Sequence, residues 1–184
     1  MSMSPALRER LRDLARASIE YGLQADRPIH VELDVWPESL HEERATFVTL
    51  ELEERLRGCI GALEPSRPLV RDVAANAFAA AFRDPRFSPV TTFDFPDLSI
   101  HVSVLSPVEP LDVGSEADLL QQLRPGVDGL IFEEGGRRGT FLPAVWRSLP
   151  DARDFLIQLK AKAGFPPGYW SESVRAYRYT TEEF

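Results

Sequence analysis

Apolar residues recur along this chain with two different periods, and the switches between them mark its elements. From residue 6 to 23, Leu7, Leu11, Leu14, Ala15, Ser18 and Ile19 keep the i, i+3/i+4 spacing of an amphipathic helix, with Gly22 near its end. "ADRPIHVELDVWPESLHEE", 25–43, has neither period and carries two prolines, so it reads as a surface connector. "ATFVTLEL" (45–52) and "RLRGCIGAL" (55–63) are rich in strand formers. Their link, Glu53-Glu54, lacks the Asn-Gly or Gly chemistry of a tight hairpin. Residues 68–83 hold the helical period throughout, from Leu69 and Val70 to Ala81 and Phe82, with Pro68 in the first turn, Ser66 as a candidate cap and Pro85 as the stop.

Beyond residue 96 the pattern alternates again. In "DLSIHVSVL", 97–105, Leu98, Ile100, Val102 and Val104 take one face, and Ser99, His101 and Ser103 the other. "SEADLLQQL", 115–123, opens with the Ser115–Asp118 pattern of a capped short helix. "DGLIFEEGGRRGTFL", 128–142, is a hairpin turning at Gly135-Gly136. A helix over 151–165 stops at Gly164, and 174–181 is a last strand. The order is neither a βαβ series nor all-β. It predicts an α+β fold: a mixed, largely antiparallel sheet flanked by helices, in one domain spanning 1–184.

Composition narrows the function classes. The chain has 184 residues, 43% hydrophobic and 27% charged, with no apolar run of membrane length, so no membrane association is expected. The charged N-terminus carries no apolar signal segment, and a cytoplasmic location is expected. The net charge of −8, with the arginines scattered, argues against nucleic acid. One cysteine excludes an internal disulfide, and His30, His41 and His101 lack the spacing of a zinc site. No Gly-rich phosphate loop occurs, so no cofactor or metal is expected.

Candidate chemistry concentrates in "LRGCIG", 56–61. In a regular strand Arg57 and Cys59 share a face, about 6.6 Å apart along the chain, while Leu56 and Ile60 face the core. Gly58 and Gly61 weaken a strand unless another backbone or a ligand comes close. A thiol near a fixed cation is a plausible nucleophile, and Arg57 suits an anionic group. The structural alternative is that Cys59 is a small apolar side chain under a helix. His101 is the best-placed base if a neighbouring strand brings it to Cys59. "RDPRF", 83–87, fixes Asp84 and Arg86 in a turn after the second helix, where they either line a site or form a local ion pair. A metal held by His101, Asp84 and Cys59 is a lesser alternative. Lys160 and Lys162, the two lysines, fit a helix C-terminus without further function, and Trp146, Phe155, Tyr169 and Trp170 belong to a core.

Taken together, "FVTLELEERLRGCIG", "AANAFAAAFRDPRFSPV", "LSIHVSVLSP", "GVDGLIF", "GTFLPAVW" and "FLIQLKAKAGF" resemble the AMMECR domain family in order and content across nearly the whole chain. Its bacterial and archaeal members are called AmmeMemoRadiSam system protein A. The resemblance implies an α+β fold with a larger and a smaller lobe and a cleft lined by "LRGCIG". It also implies the company of Memo-type and radical SAM proteins. Two positions depart from the family pattern: Glu53-Glu54, where a glycine is frequent, and Ala144, where a longer polar side chain is frequent. The expectation that results is an enzyme or enzyme partner acting on a small-molecule ligand. Cys59 is its thiolate, Arg57 its anion holder, and Asp84 and His101 complete the catalytic set, with Gly58, Gly61 and Arg86 binding. The alternative is a non-catalytic adaptor for Memo-type and radical SAM partners.

Overall fold

The computed structural model describes residues 3–184. The class is α+β, with the strands divided between two antiparallel four-stranded sheets. Each sheet belongs to one of two compact units: the first runs to Leu105 and takes back Glu182–Phe184, and the second is Ser106–Thr181.

In the first unit, α1 (Pro5–Ala25) starts where the Ser4 side chain accepts the Leu7 N–H, and it ends at Asp26 with φ 51°. The connector that follows forms two short 3-10 turns, Leu33–Val35 and Glu38–Leu40. His41, expected to be a plain surface residue, ties them together: its Nε2 donates to the Leu33 and Trp36 carbonyls at 2.8 and 3.0 Å. Next come β1 (Thr46–Leu52), β2 (Arg55–Gly61), α2 (Leu69–Phe82) and β3 (Ser99–Leu105). Pro68 caps α2 without a side-chain hydrogen bond, so Ser66 has no such role. The sheet order is β2-β1-β3-β8, where β8 is Thr181–Glu183.

One face of this sheet carries Val48, Leu50 and Val102, all wholly buried with Val70, Val73 and Ala77 of α2 and Leu11, Ala15 and Ile19 of α1. Alternation along each strand follows from burying that face alone. A polar brace joins α2 to the start of β1. Asp72, almost wholly buried, accepts the Thr46 N–H at 3.0 Å, the Thr46 hydroxyl at 2.6 Å and Asn76 Nδ2 at 2.9 Å, and pairs with Arg67. Burial outweighs these partners and pushes the Asp72 carboxyl above its ordinary range.

The second unit contains β4 (Glu109–Leu111), α3 (Glu116–Gln122), β5 (Gly129–Glu134), β6 (Arg137–Phe141), α4 (Ala152–Lys162) and β7 (Arg175–Tyr179). Its sheet order is β4-β7-β5-β6. Gly135 and Gly136 turn the β5–β6 hairpin with φ of 57° and 80°, which the absence of a Cβ permits. Trp146 and Phe155 stack at 3.8 Å in the core beside Leu130, Phe132 and Leu159. The segment expected as one last strand, 174–181, is interrupted: β7 stays in this sheet, and after Thr180 the chain enters β8 of the other sheet.

Candidate functional site

Cys59 lies in β2, the edge strand of the first sheet, opposite Thr49 of β1. Antiparallel neighbours alternate between pairs that exchange hydrogen bonds and pairs that do not, so an edge residue of the second kind aims its N–H and C=O outward. At Cys59 both outward groups are met by side chains. Its N–H donates to Asp84 Oδ2 at 2.9 Å, and its carbonyl accepts from Arg86 Nη2 at 3.3 Å. Asp84 and Arg86 hold each other through Nε–Oδ1 at 3.0 Å and Nη2–Oδ2 at 2.7 Å, and Asp84 also accepts the Arg86 N–H. The proline turn between them sets this fork, and a carboxylate plus a guanidinium stand in for a fifth strand beyond β2. The Asp84 side chain is 2% exposed. The Arg86 guanidinium, ahead of the two backbone N–H groups, holds its carboxyl well below the usual range.

Arg57 sits at a register shift. Leu50 pairs with Gly58 and Glu51 with Leu56, so Arg57 is an extra residue in β2. The shift reverses the alternation beyond it: Leu56, expected in the core, pairs with Glu51 and is 44% exposed. The Arg57 guanidinium donates to the carbonyls of Ser88 (2.6 Å) and Pro89 (3.2 Å) and to Asp94 Oδ2 (3.1 Å). It pins the loop that follows the Asp84–Arg86 turn.

Both glycines face crowded surroundings. A Cβ on Gly58 would stand 2.1 Å from the Ala80 carbonyl oxygen of α2, and one on Gly61 would stand 2.2 Å from the Thr46 oxygen. The close neighbour that these glycines admit is the protein's own backbone.

His101 is not on the strand next to Cys59. Thr49 of the intervening β1 pairs with Cys59 on one side and His101 on the other, so the three form one row on the sheet face opposite the core. The outer two are about 10 Å apart, two strand spacings. Thr49 Oγ1 lies 3.3 Å from Cys59 Sγ, and His101 Nε2 lies 3.6 Å from Glu51 Oε2. Thr49 and Glu51 were not singled out in the sequence; their alternation with Val48 and Leu50 is the signal that puts them on this face. Cys59, Asp84 and His101 do not converge on one point: among the described residues no group of three His, Cys, Asp or Glu side chains is placed to hold a metal ion.

In the second unit, Lys160 sits in the last turn of α4, as expected, and is wholly buried there. Its ammonium donates to Glu116 and to the Pro167 carbonyl (3.3 Å), and lies 5.8 and 5.9 Å from the Phe132 and Trp170 rings. Lys160 falls on the helical face of Phe155, Leu156 and Leu159, a placement the periodicity of α4 contains. Lys162 donates to the Thr140 carbonyl at 2.9 Å.

No helix among the described residues is long and apolar enough to cross a membrane. Known proteins place the chain clearly. The AMMECR1 family model matches residues 12–184. A protein of Methanothermobacter thermautotrophicus is 40% identical over 193 residues, covering 100% of this chain and 98% of that one. One of Methanocaldococcus jannaschii is 38% identical, covering 92% and 85%. The crystal structure of the uncharacterized protein PH0010 from Pyrococcus horikoshii superposes with a TM-score of 0.91 at 35% identity, covering 100% of this chain and 93% of that one. A family model matching residues 12–184 and a relative 40% identical over the whole chain show that the chain belongs to the AMMECR1 family.

Proposed function

We propose that the protein acts on a small molecule at the outer face of its first sheet, with the Cys59 thiol as the reacting group. Thr49 lies beside the sulfur, and Glu51 Oε2 stands 3.6 Å from His101 Nε2. The observation that carries this reading is the fixed row Cys59–Thr49–His101, held in place by the Asp84–Arg86 fork on the Cys59 backbone. A nucleophile works when its backbone is immobile and its neighbours are set before substrate arrives. In this reading Arg57, Asp84 and Arg86 position the strand. Arg57 reaches a ligand's anionic group only by releasing Asp94 or the loop carbonyls. His101 is too distant for direct proton transfer from the thiol, so it acts on the far end of the ligand or through the Thr49 hydroxyl.

The test is acyl transfer from a nitrophenyl ester. The Cys59 sulfur attacks the carbonyl carbon, its proton passes to solvent or through the Thr49 hydroxyl to His101, nitrophenolate leaves and a thioester remains. The reading requires this adduct on Cys59 in the folded wild-type protein, none in Cys59→Ser, and slower formation in His101→Ala. Absence of any adduct on the folded protein would overturn it.

A second reading is a non-catalytic adaptor for Memo-type and radical SAM proteins in the cytoplasm. It is favoured by the fact that Arg57, Gly58, Asp84 and Arg86 are all engaged within the protein itself. Stable co-purification with such partners, with no adduct at Cys59, would select it.

A further inference from the structure

Two arginines are tied to the Cys59 strand, and they are committed to different degrees. Arg57, the one that its spacing from Cys59 marks as an anion holder, has both Nη atoms engaged, by the Ser88 and Pro89 carbonyls and by Asp94. Its side chain is 15% exposed. The Arg86 side chain is 55% exposed. Its Nε donates to Asp84 Oδ1, and its Nη2 donates to Asp84 Oδ2 and to the Cys59 carbonyl. A guanidinium has five N–H donors, and these contacts use the one on Nε and both on Nη2. The two N–H groups of Nη1 have no hydrogen-bond partner among the described residues.

Net charge does not decide what this group takes, because Asp84 balances it. Direction does. Asp84 Oδ1 accepts the Arg86 N–H and Nε–H, and Oδ2 accepts the Cys59 N–H and an Nη2–H. The carboxylate is almost wholly buried in these contacts, so the open side of the pair carries N–H donors alone. Those donors lie near the sulfur. Nη2 is 3.3 Å from the Cys59 oxygen, and covalent geometry keeps Sγ within about 5 Å of that oxygen, so thiol and guanidinium are on the order of 7 Å apart. Asp84 holds the Arg86 guanidinium above its ordinary pKa, and a Cys59 thiolate pushes it the same way across this gap. A reacting carbon that bears a carboxylate bridges the gap, because the carboxylate oxygens extend about 2.5 Å beyond that carbon.

We propose that Arg86 is the anion holder of the Cys59 site, and that the site selects a small substrate with a carboxylate or other oxyanion next to its electrophilic carbon. Nη1 holds the anion while Nε and Nη2 keep the strand braced. One residue thus fixes the Cys59 backbone and orients the substrate towards the sulfur. The proposal rests on the reading of Cys59 as the reacting group and names the substrate class of that site.

The probes are iodoacetate and iodoacetamide, which alkylate the same thiolate and differ in one charged group. With each, the Cys59 sulfur bonds to the methylene carbon as iodide leaves. The exposure and ionisation of the sulfur cancel in the ratio of the two rates, so the ratio reports on the anion holder rather than on the fold. For the full chain, the iodoacetate-to-iodoacetamide ratio is expected to exceed that of mercaptoethanol in the same buffer by about fivefold or more, and to fall as salt is raised. Arg86→Lys keeps the charge without the fork and is expected to retain most of this gain, whereas Arg86→Gln is expected to abolish it. A ratio equal to that of mercaptoethanol overturns the proposal and leaves Cys59 reactive. A ratio unchanged in Arg86→Gln also overturns it. If Arg86→Gln does not fold, the salt dependence of the wild-type ratio and the Arg86→Lys value decide. Labelling by neither reagent until the chain unfolds overturns the Cys59 reading, and this proposal with it.

Discussion

Asp84 accepts the main-chain N–H of Cys59 at 2.9 Å, while Arg86, two residues on, donates to the same residue's carbonyl. This relationship explains why "LRGCIG" and "DPRF" occur together in one chain. The turn supplies the missing neighbour of an edge strand, and it does so at the residue whose side chain heads the Cys59–Thr49–His101 row.

Asp84→Asn should therefore cost about 2–3 kcal/mol, because it removes a charge-assisted pair at a buried carboxylate. The folded-state pKa of Asp84 lies below its ordinary value. Its contribution is thus present above the unfolded-state value of about 3.9 and is lost as pH falls towards the folded-state pKa. Urea unfolding across the acid range checks this: the wild-type chain should lose stability below about pH 4 more steeply than Asp84→Asn.

Tyr179 gives the opposite pH window. It is 1% exposed, bonded to Thr140 and Phe141, and burial pushes its hydroxyl up to about 12. The raised value means stability that is complete below the unfolded-state pKa of about 10 and lost as pH climbs through the folded-state value. The loss amounts to roughly 3 kcal/mol. Tyr179→Phe should flatten the alkaline limb of the stability profile.

The β1–β2 turn carries strain that the sequence signals only negatively. Glu53 and Glu54 adopt φ of 52° and 62°, the left-handed region that Asn and Gly occupy at least cost. Glu53→Asn with Glu54→Gly should stabilise the protein by about 1 kcal/mol or more, seen as a raised midpoint in chemical denaturation with an unchanged slope.

Lys160 and Glu116 should respond asymmetrically. Lys160→Met leaves a partly exposed carboxylate and fills the apolar space, at a cost within about 1.5 kcal/mol. Glu116→Ala leaves a wholly buried ammonium without its carboxylate and should cost about 3 kcal/mol or more. Thermal melts of the two variants test the order.

Much of the fold was legible because periodicity reports which face is buried. The spans of α1, α2 and α4, and the alternation in β1 and β3, follow from that alone. Three features depend on pairing, which no local pattern encodes. One is the extra residue at Arg57, which turned Leu56 outward. Another is the position of β1 between β2 and β3, which set Thr49 between Cys59 and His101. The third is the division of the strands into two sheets, with the chain changing sheet after Tyr179. Glycine in "LRGCIG" was readable as a mark of close approach; that the approaching group is the Ala80 carbonyl was not.

The central claim is that Cys59 presents its thiol on an open, prearranged sheet face. With one cysteine in the chain, iodoacetamide alkylation of the folded protein reports on that site alone. The account predicts labelling without unfolding, within about tenfold of a small free thiol at the same pH, and a changed rate in Thr49→Val. Labelling that begins only when the chain unfolds would contradict it: Cys59 would then be a packed side chain of β2.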